Sequence, residues 1–190
     1  LQGLLLQRLR FRWAAMNPCT ADQGGTEDYS GSEPLDPALA DRFALIVTAA
    51  DWSDLNAEQQ AAIVAPSGEG KVTPSNEALQ SALTQWRARF VEQANACPPQ
   101  VTRYVTTVVN ALNGAGVRIS PRRARLMARS LVAATIVAER TTSTLYRSVL
   151  ECSLPHSTWG QSIESAVIVA AHRAAWDASR ETGGAWIHAF

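Results

Sequence analysis

The strongest constraint in this chain is a helical repeat of apolar residues. Val101, Tyr104, Val105, Val108, Val109 and Leu112 follow the i, i+3, i+4, i+7 rule, which lines them along one face of a helix. A face that wide needs covering, so the segment predicts a helix packed into a bundle. Pro98-Pro99 opens it and Asn113-Gly114 ends it. The same period recurs on both sides. Asn56, with Gln59 at the third helical position, reads as a capping box for a helix running to Ala65. Thr73-Pro74 opens a helix to about Ala96, with Leu79, Leu83, Trp86, Phe90 and Val91 as its apolar side. Ser120-Pro121 caps another, with Leu126, Met127, Ser130, Leu131, Ala134 and Val137 inward. Two more are expected over 142–152 and 162–179, separated by Leu154-Pro155 and Trp159-Gly160.

The period changes before residue 56. Leu9, Phe11, Trp13 and Ala15 alternate with Arg10, Arg12 and Ala14, which predicts a strand over 9–16 that Asn17-Pro18 terminates. A long polar loop follows over 19–34. Residues 36–40 suit one helical turn opening at Pro37, and the short apolar run 43–49 predicts a buried strand. The expected fold is therefore mainly α with a small β remnant. Two strands do not make a stable sheet alone, and the chain opens at Leu1 without Met. Together these features predict a fragment, divided into residues 1–52 and a helical domain over 53–190.

Composition narrows the function classes. Lys and Arg number 17, Asp and Glu number 17, and the net charge is zero, which excludes a polybasic nucleic-acid tail and an acidic disordered chain. An apolar fraction of 46% over 190 residues is enough for a core. No apolar run approaches the roughly 20 residues of a membrane helix, and no secretory signal pattern is visible. Cys19, Cys97 and Cys152 are widely spaced with no C-x-x-C, against a disulfide scaffold or zinc site and in keeping with a reducing, cytoplasmic compartment.

Three short motifs follow in order: Trp13-Ala14-Ala15-Met16-Asn17-Pro18, then Asp41-Arg42-Phe43 after Leu35, then Ser120-Pro121-Arg122-Arg123. In this order they resemble the second half of an AAA+ ATPase of the MoxR type, the branch that includes magnesium-chelatase-like ATPases, over about residues 8–180. The resemblance implies that residues 1–52 end a nucleotide-binding core and that 53–190 form the helical lid. It implies sensor 1 at Asn17, an arginine finger acting in trans at Arg42, and sensor 2 at Arg122. Arg123 is an additional candidate for ATP binding. The complete protein would bind ATP and Mg2+ through Walker A and B segments that this chain lacks. It would assemble as a ring, by resemblance a hexamer, and remodel a client protein, with a von Willebrand A-type protein as a candidate partner. The chain alone is expected to be inactive, and no metal ligand is expected in it.

Physical chemistry supplies a role and an alternative for each residue. Asn17 would sit at the carboxyl end of a strand, where a neutral amide can orient a water beside a phosphate; the alternative is a turn-forming Asn before Pro. Arg42 could stabilise charge on a transferring phosphoryl group in a neighbouring subunit; the alternative is a surface Arg paired with Asp41 or Asp36. Arg122, Arg123, Arg125 and Arg129 crowd one helix start, where the macrodipole opposes cations. Anion binding would compensate, and Arg122 is the residue that matches the motif. For Arg123, Arg125 and Arg129 an interface or surface role is the alternative.

Several patterns read as decoys. Residues 65–72 imitate a P-loop, but Ala65 replaces the first Gly, Val72 replaces the hydroxyl, and Pro74 blocks the following helix. The run ending at Asp51 has Trp52 where a Walker B Glu would stand. His156, His172 and His188 show no metal spacing, and His172 is expected to pack at a helix edge near Trp176. Cys19 has no identifiable base. The acidic residues Asp22, Glu27, Asp28 and Glu33 do not match an EF-hand spacing. Two competing readings stand beside the ATPase. One is a helical DNA-binding module using the Ser120 helix, which zero net charge disfavours. The other is a standalone helical interaction protein.

Overall fold

The structure, a computed structural model, describes residues 14–16, 34–65, 76–154 and 163–180. Helix accounts for 72% of these residues, and no strand occurs among them. The helices are α1 (Pro37–Ala40), α2 (Ala57–Val64), α3 (Glu77–Asn95), α4 (Pro99–Gly114), α5 (Pro121–Ala138), α6 (Ser143–Ser153) and α7 (Ser165–Arg180), with a single 3-10 turn at Trp52–Asp54.

The starts follow from local chemistry. Asn56 accepts a hydrogen bond from the Gln59 amide and the Gln59 side chain returns one to the Asn56 amide, both at 2.9 Å, completing the capping box. Pro99 and Pro121 stand at first helical positions, where a missing N–H costs nothing. Asn76 and Thr142 cap α3 and α6 through their side chains. Residues 73–75, expected to open α3, lie outside the described residues. Helix α4 ends at Gly114, as expected, but its left-handed residue lies further on. Gly114 is inside its last turn, and Gly116, at φ 85°, is the left-handed residue. The Val117 amide donates to the Leu112 carbonyl and the Gly116 amide to that of Asn113, the paired bonds of a Schellman motif. The Asn113 side chain then accepts from the Ile119 amide at 2.9 Å, which sets the path into α5.

The core lies among α4, α5, α6 and α7, and the largest interface is α4 on α7. Val101, Tyr104, Val105, Val108 and Leu112 of α4 are buried, as the periodicity requires. Met127, Leu131, Val132 and Ile136 face them from α5. Val137, expected inward, is 52% exposed, because the inward stripe of α5 passes through Val132 and Ile136 instead. Helix α3 packs on α5 through Trp86 and Phe90, and Arg129 lies 5.6 Å over the Phe90 ring. Its first two turns carry Leu79 and Leu83 exposed.

A polar chain crosses this core. The Tyr104 hydroxyl is 2.8 Å from His172 Nδ1, and Ser143 Oγ is 2.9 Å from His172 Nε2, tying α4, α7 and α6 together. Tyr104 meets Tyr146 edge-on at 4.8 Å, and Tyr146 meets Trp176 at 5.3 Å. His172 does stack near Trp176, but it is buried, not at a helix edge. A neutral imidazole satisfies both contacts in either tautomer. The third member is a phenol, so the chain lacks the carboxylate that would steady an imidazolium. We read it as structural.

The expected strand over 43–49 does not form. Its backbone has no partner strand among the described residues; the Ile46 amide donates to the Cys152 carbonyl at 2.7 Å, and the Phe43 carbonyl accepts from Arg123. Val47 is 75% exposed. A strand needs a neighbour to take its hydrogen bonds, and here the segment lies along the end of α6. The strand expected over 9–16 lies outside the described residues except for 14–16, which are irregular.

Burial lowers the His172 pKa below its ordinary 6.5, first by desolvation and then by the positive charge of Arg147, with Glu151 and Asp177 opposing. The unfolded chain then takes up the proton at a higher pH than the folded one. Stability from this group is complete above about pH 6.5 and falls as pH drops through the folded pKa. Melting measured from pH 7.5 to 5 should show His172→Gln with a flatter pH dependence than the wild-type chain.

Candidate functional site

Two of the three motifs meet in space. Helix α1 is capped by Asp36, whose side chain accepts from the Leu39 amide at 3.0 Å, and it buries Ala40 completely. It ends in a turn in which the Arg42 amide donates to the Leu39 carbonyl and the Phe43 amide to that of Ala40. This is the Asp41-Arg42-Phe43 segment, and it sits against the start of α5.

Ser120 caps α5, accepting from the Arg123 amide at 2.9 Å. Its hydroxyl also faces Asp41, at 2.9 Å from Oδ1 and 2.8 Å from Oδ2, so one donor is shared by both carboxylate oxygens. Arg123 is 1% exposed. Its Nη1 donates to the Phe43 carbonyl and its Nη2 to the Ala40 carbonyl. Its Nε, without a hydrogen bond, lies 3.4 Å from Asp41 Oδ1. Arg122, one residue earlier, keeps a side chain 57% exposed and makes a loose ion pair with Asp41 at 3.7 Å. Arg42 is exposed.

The electrostatics follow from this placement. A buried cation is costly unless it is paired and hydrogen-bonded. Burial pulls the Arg123 pKa down, and the charge of Asp41 pushes it back up. Two carbonyls and one carboxylate answer the guanidinium. Arg123, also named as an ATP-binding candidate, is turned inward, with its guanidinium facing Ala40, Phe43 and Asp41. This placement also explains how a third-position Arg survives at a helix N-terminus, where the macrodipole opposes it.

Asn17 lies outside the described residues, as do Cys19, His156, His188, most of the loop 19–34 and all of the P-loop-like stretch except Ala65. Asp51 accepts from the Trp52 amide at 2.6 Å, and the Asp54 side chain accepts from the Asp51 amide at 3.1 Å, so this carboxylate caps a turn. Among the described residues no group of three or more His, Cys, Asp or Glu could hold a metal ion, and no helix is long and apolar enough to cross a membrane.

The inward position of Arg123 was missed by sequence reasoning, although a signal for it exists. Arg123, Met127 and Leu131 are spaced by four residues, so extending the buried stripe backwards reaches Arg123.

Comparison with known proteins adds no relative: no family model, no curated protein and no solved structure matches the chain.

Removing Arg123 leaves the Ala40 and Phe43 carbonyls without their donor and takes the buried positive charge away from Asp41. Arg123→Met should therefore cost about 3 kcal/mol, on the scale of breaking a buried pair from one side. Arg122→Met should cost no more than about 1 kcal/mol, as for an exposed pair. Urea denaturation of the two variants checks the contrast.

Proposed function

We propose that this chain is the C-terminal portion of a MoxR-like AAA+ ATPase that hydrolyses ATP at the interfaces of a ring, by resemblance hexameric, to remodel a partner protein. The observation that supports the reading is the convergence of the D-R-F turn with the S-P-R-R helix start, about 80 residues apart in sequence. Both motifs share Asp41: Arg42 follows it and Arg122 pairs with it. Arg42 and Arg122 are both exposed, while Arg123 is buried.

In this reading Arg42 is the finger offered to a neighbouring subunit's nucleotide, and Arg122 is the sensor contacting phosphate. Both are charged at any working pH and carry planar donors suited to phosphate oxygens. Phosphoryl transfer is served by positioning and by charge stabilisation, which is what such groups supply. The loose 3.7 Å pair fits this role, because Arg122 can leave Asp41 for a phosphate at little cost. Asn17 is the proposed sensor 1, orienting the attacking water. Triphosphate therefore fits the residues present. Mg2+ does not, since Asp51 is engaged as a cap, and we assign the metal to Walker segments of the complete protein. A cytoplasmic setting and a von Willebrand A-type partner belong to the same proposal.

The DNA-binding alternative asks for several arginines on one open helix face. Arg123 is buried, which removes one of the four.

The reading predicts that Arg42→Ala lowers ATP turnover of the complete protein by at least about 10²-fold, toward the range measured for arginine fingers elsewhere. Arg122→Ala should also lower it. Mixed rings of Arg42→Ala subunits and subunits unable to bind nucleotide should regain turnover at interfaces that pair an intact finger with an intact site. Unchanged turnover in both single variants contradicts the proposal, and no recovery in mixed rings contradicts the trans role.

A further inference from the structure

Helix α1 has four residues, too few to hold itself in water. The turn after it must be fixed from outside. Arg123 grips the Ala40 carbonyl with Nη2 and the Phe43 carbonyl with Nη1, one on each side of Asp41-Arg42. Ser120 holds the Asp41 carboxylate between them. The peptide units carrying Arg42 are thus clamped at both ends by groups from the first turn of α5. A guanidinium can do this because its donors form a rigid planar fork, whereas an ammonium is a compact point donor on a flexible stem.

We propose that Arg123 is the positioning residue for Arg42, holding the finger turn rigid on the lid helix so that the exposed guanidinium is presented in one place. The proposal rests on Arg42 being the finger. Misplacing a catalytic group by about 1 Å can cost around 10²-fold in rate, so a clamp of this kind bears on turnover without touching nucleotide. It also makes the backbone of the turn and the start of α5 a single unit, so that a displacement of the bundle carries Arg42 with it.

The test uses Arg123→Lys, which keeps the charge but loses the fork. Amide hydrogen exchange on the 190-residue chain reads the turn directly. Exchange at Phe43 and Ile46 should rise about tenfold or more while the core amides of α4 to α7 stay protected. In the complete protein Arg123→Lys should lower kcat for ATP by at least about tenfold while KM changes less than about twofold. The double variant Arg42→Ala/Arg123→Lys should be no slower than Arg42→Ala, because Arg123 acts through Arg42. Unchanged exchange at Phe43 overturns the proposal. So does a loss that multiplies in the double variant, which marks a general structural role. Faster exchange with full turnover in Arg42→Ala instead overturns the finger reading. If Arg123→Lys does not fold, Ser120→Ala, which takes away the Asp41 donor, is measured in the same way with the same outcomes.

Discussion

A single buried guanidinium organises the part of this molecule that faces function. Arg123 is enclosed by protein, and its charge survives there only because backbone oxygens of Ala40 and Phe43 and the carboxylate of Asp41 surround it. Each member of the set needs the others. Without the turn, the guanidinium would be an unpaired charge; without the guanidinium, two carbonyls would face inward with no donor. This mutual requirement joins a short segment near residue 41 to a helix start near residue 121. Of the four residues of that helix, Ala40 is the one that is buried.

The bundle beneath has a different basis. Helices α4 to α7 bury a continuous apolar core, with Tyr104, Tyr146 and Trp176 meeting edge to face. The Tyr104–His172–Ser143 chain satisfies the polar atoms that cross it. Desolvation keeps the Tyr104 hydroxyl protonated far above the usual phenol range and pushes the Tyr146 pKa up to about 12. Both phenols therefore stay neutral at ordinary pH, and burial of His172 favours its neutral form. The result is a rigid platform with a charged junction at one edge. Sites built on packed helices hold their geometry better than sites on loops, and here the turn borrows that rigidity through Arg123.

What the sequence revealed depended on how local the cause was. The capping box at Asn56 and Gln59, the prolines at 99 and 121, and the α4 stripe are decided within one or two turns, and they appear as expected. The run 43–49 looked like a strand because its residues favour extended backbone, but strand formation needs a partner that the run cannot specify. Helix α4 ends at Gly114, as expected, but the left-handed turn that closes it falls on Gly116, where the Schellman bonds from Gly116 and Val117 require it. Val137 and Arg123 exchanged roles for a related reason. Apolar character points a residue inward and charge points it outward, but the side the helix presents to the bundle decides otherwise here. At the site, the local oddity of four arginines at one helix start was visible, but which of them is buried required the contact with residue 41, some 80 positions away.

The most direct measurement is nitrogen NMR of the arginine guanidinium groups in the folded chain. A guanidinium fixed on two carbonyls has hindered rotation about its terminal C–N bonds, while an exposed one averages. The account predicts two separate, slowly exchanging Nη signals for Arg123, each correlated with the Ala40 or Phe43 carbonyl, and averaged signals for Arg42 and Arg122. An averaged Arg123 signal, indistinguishable from theirs, would contradict it.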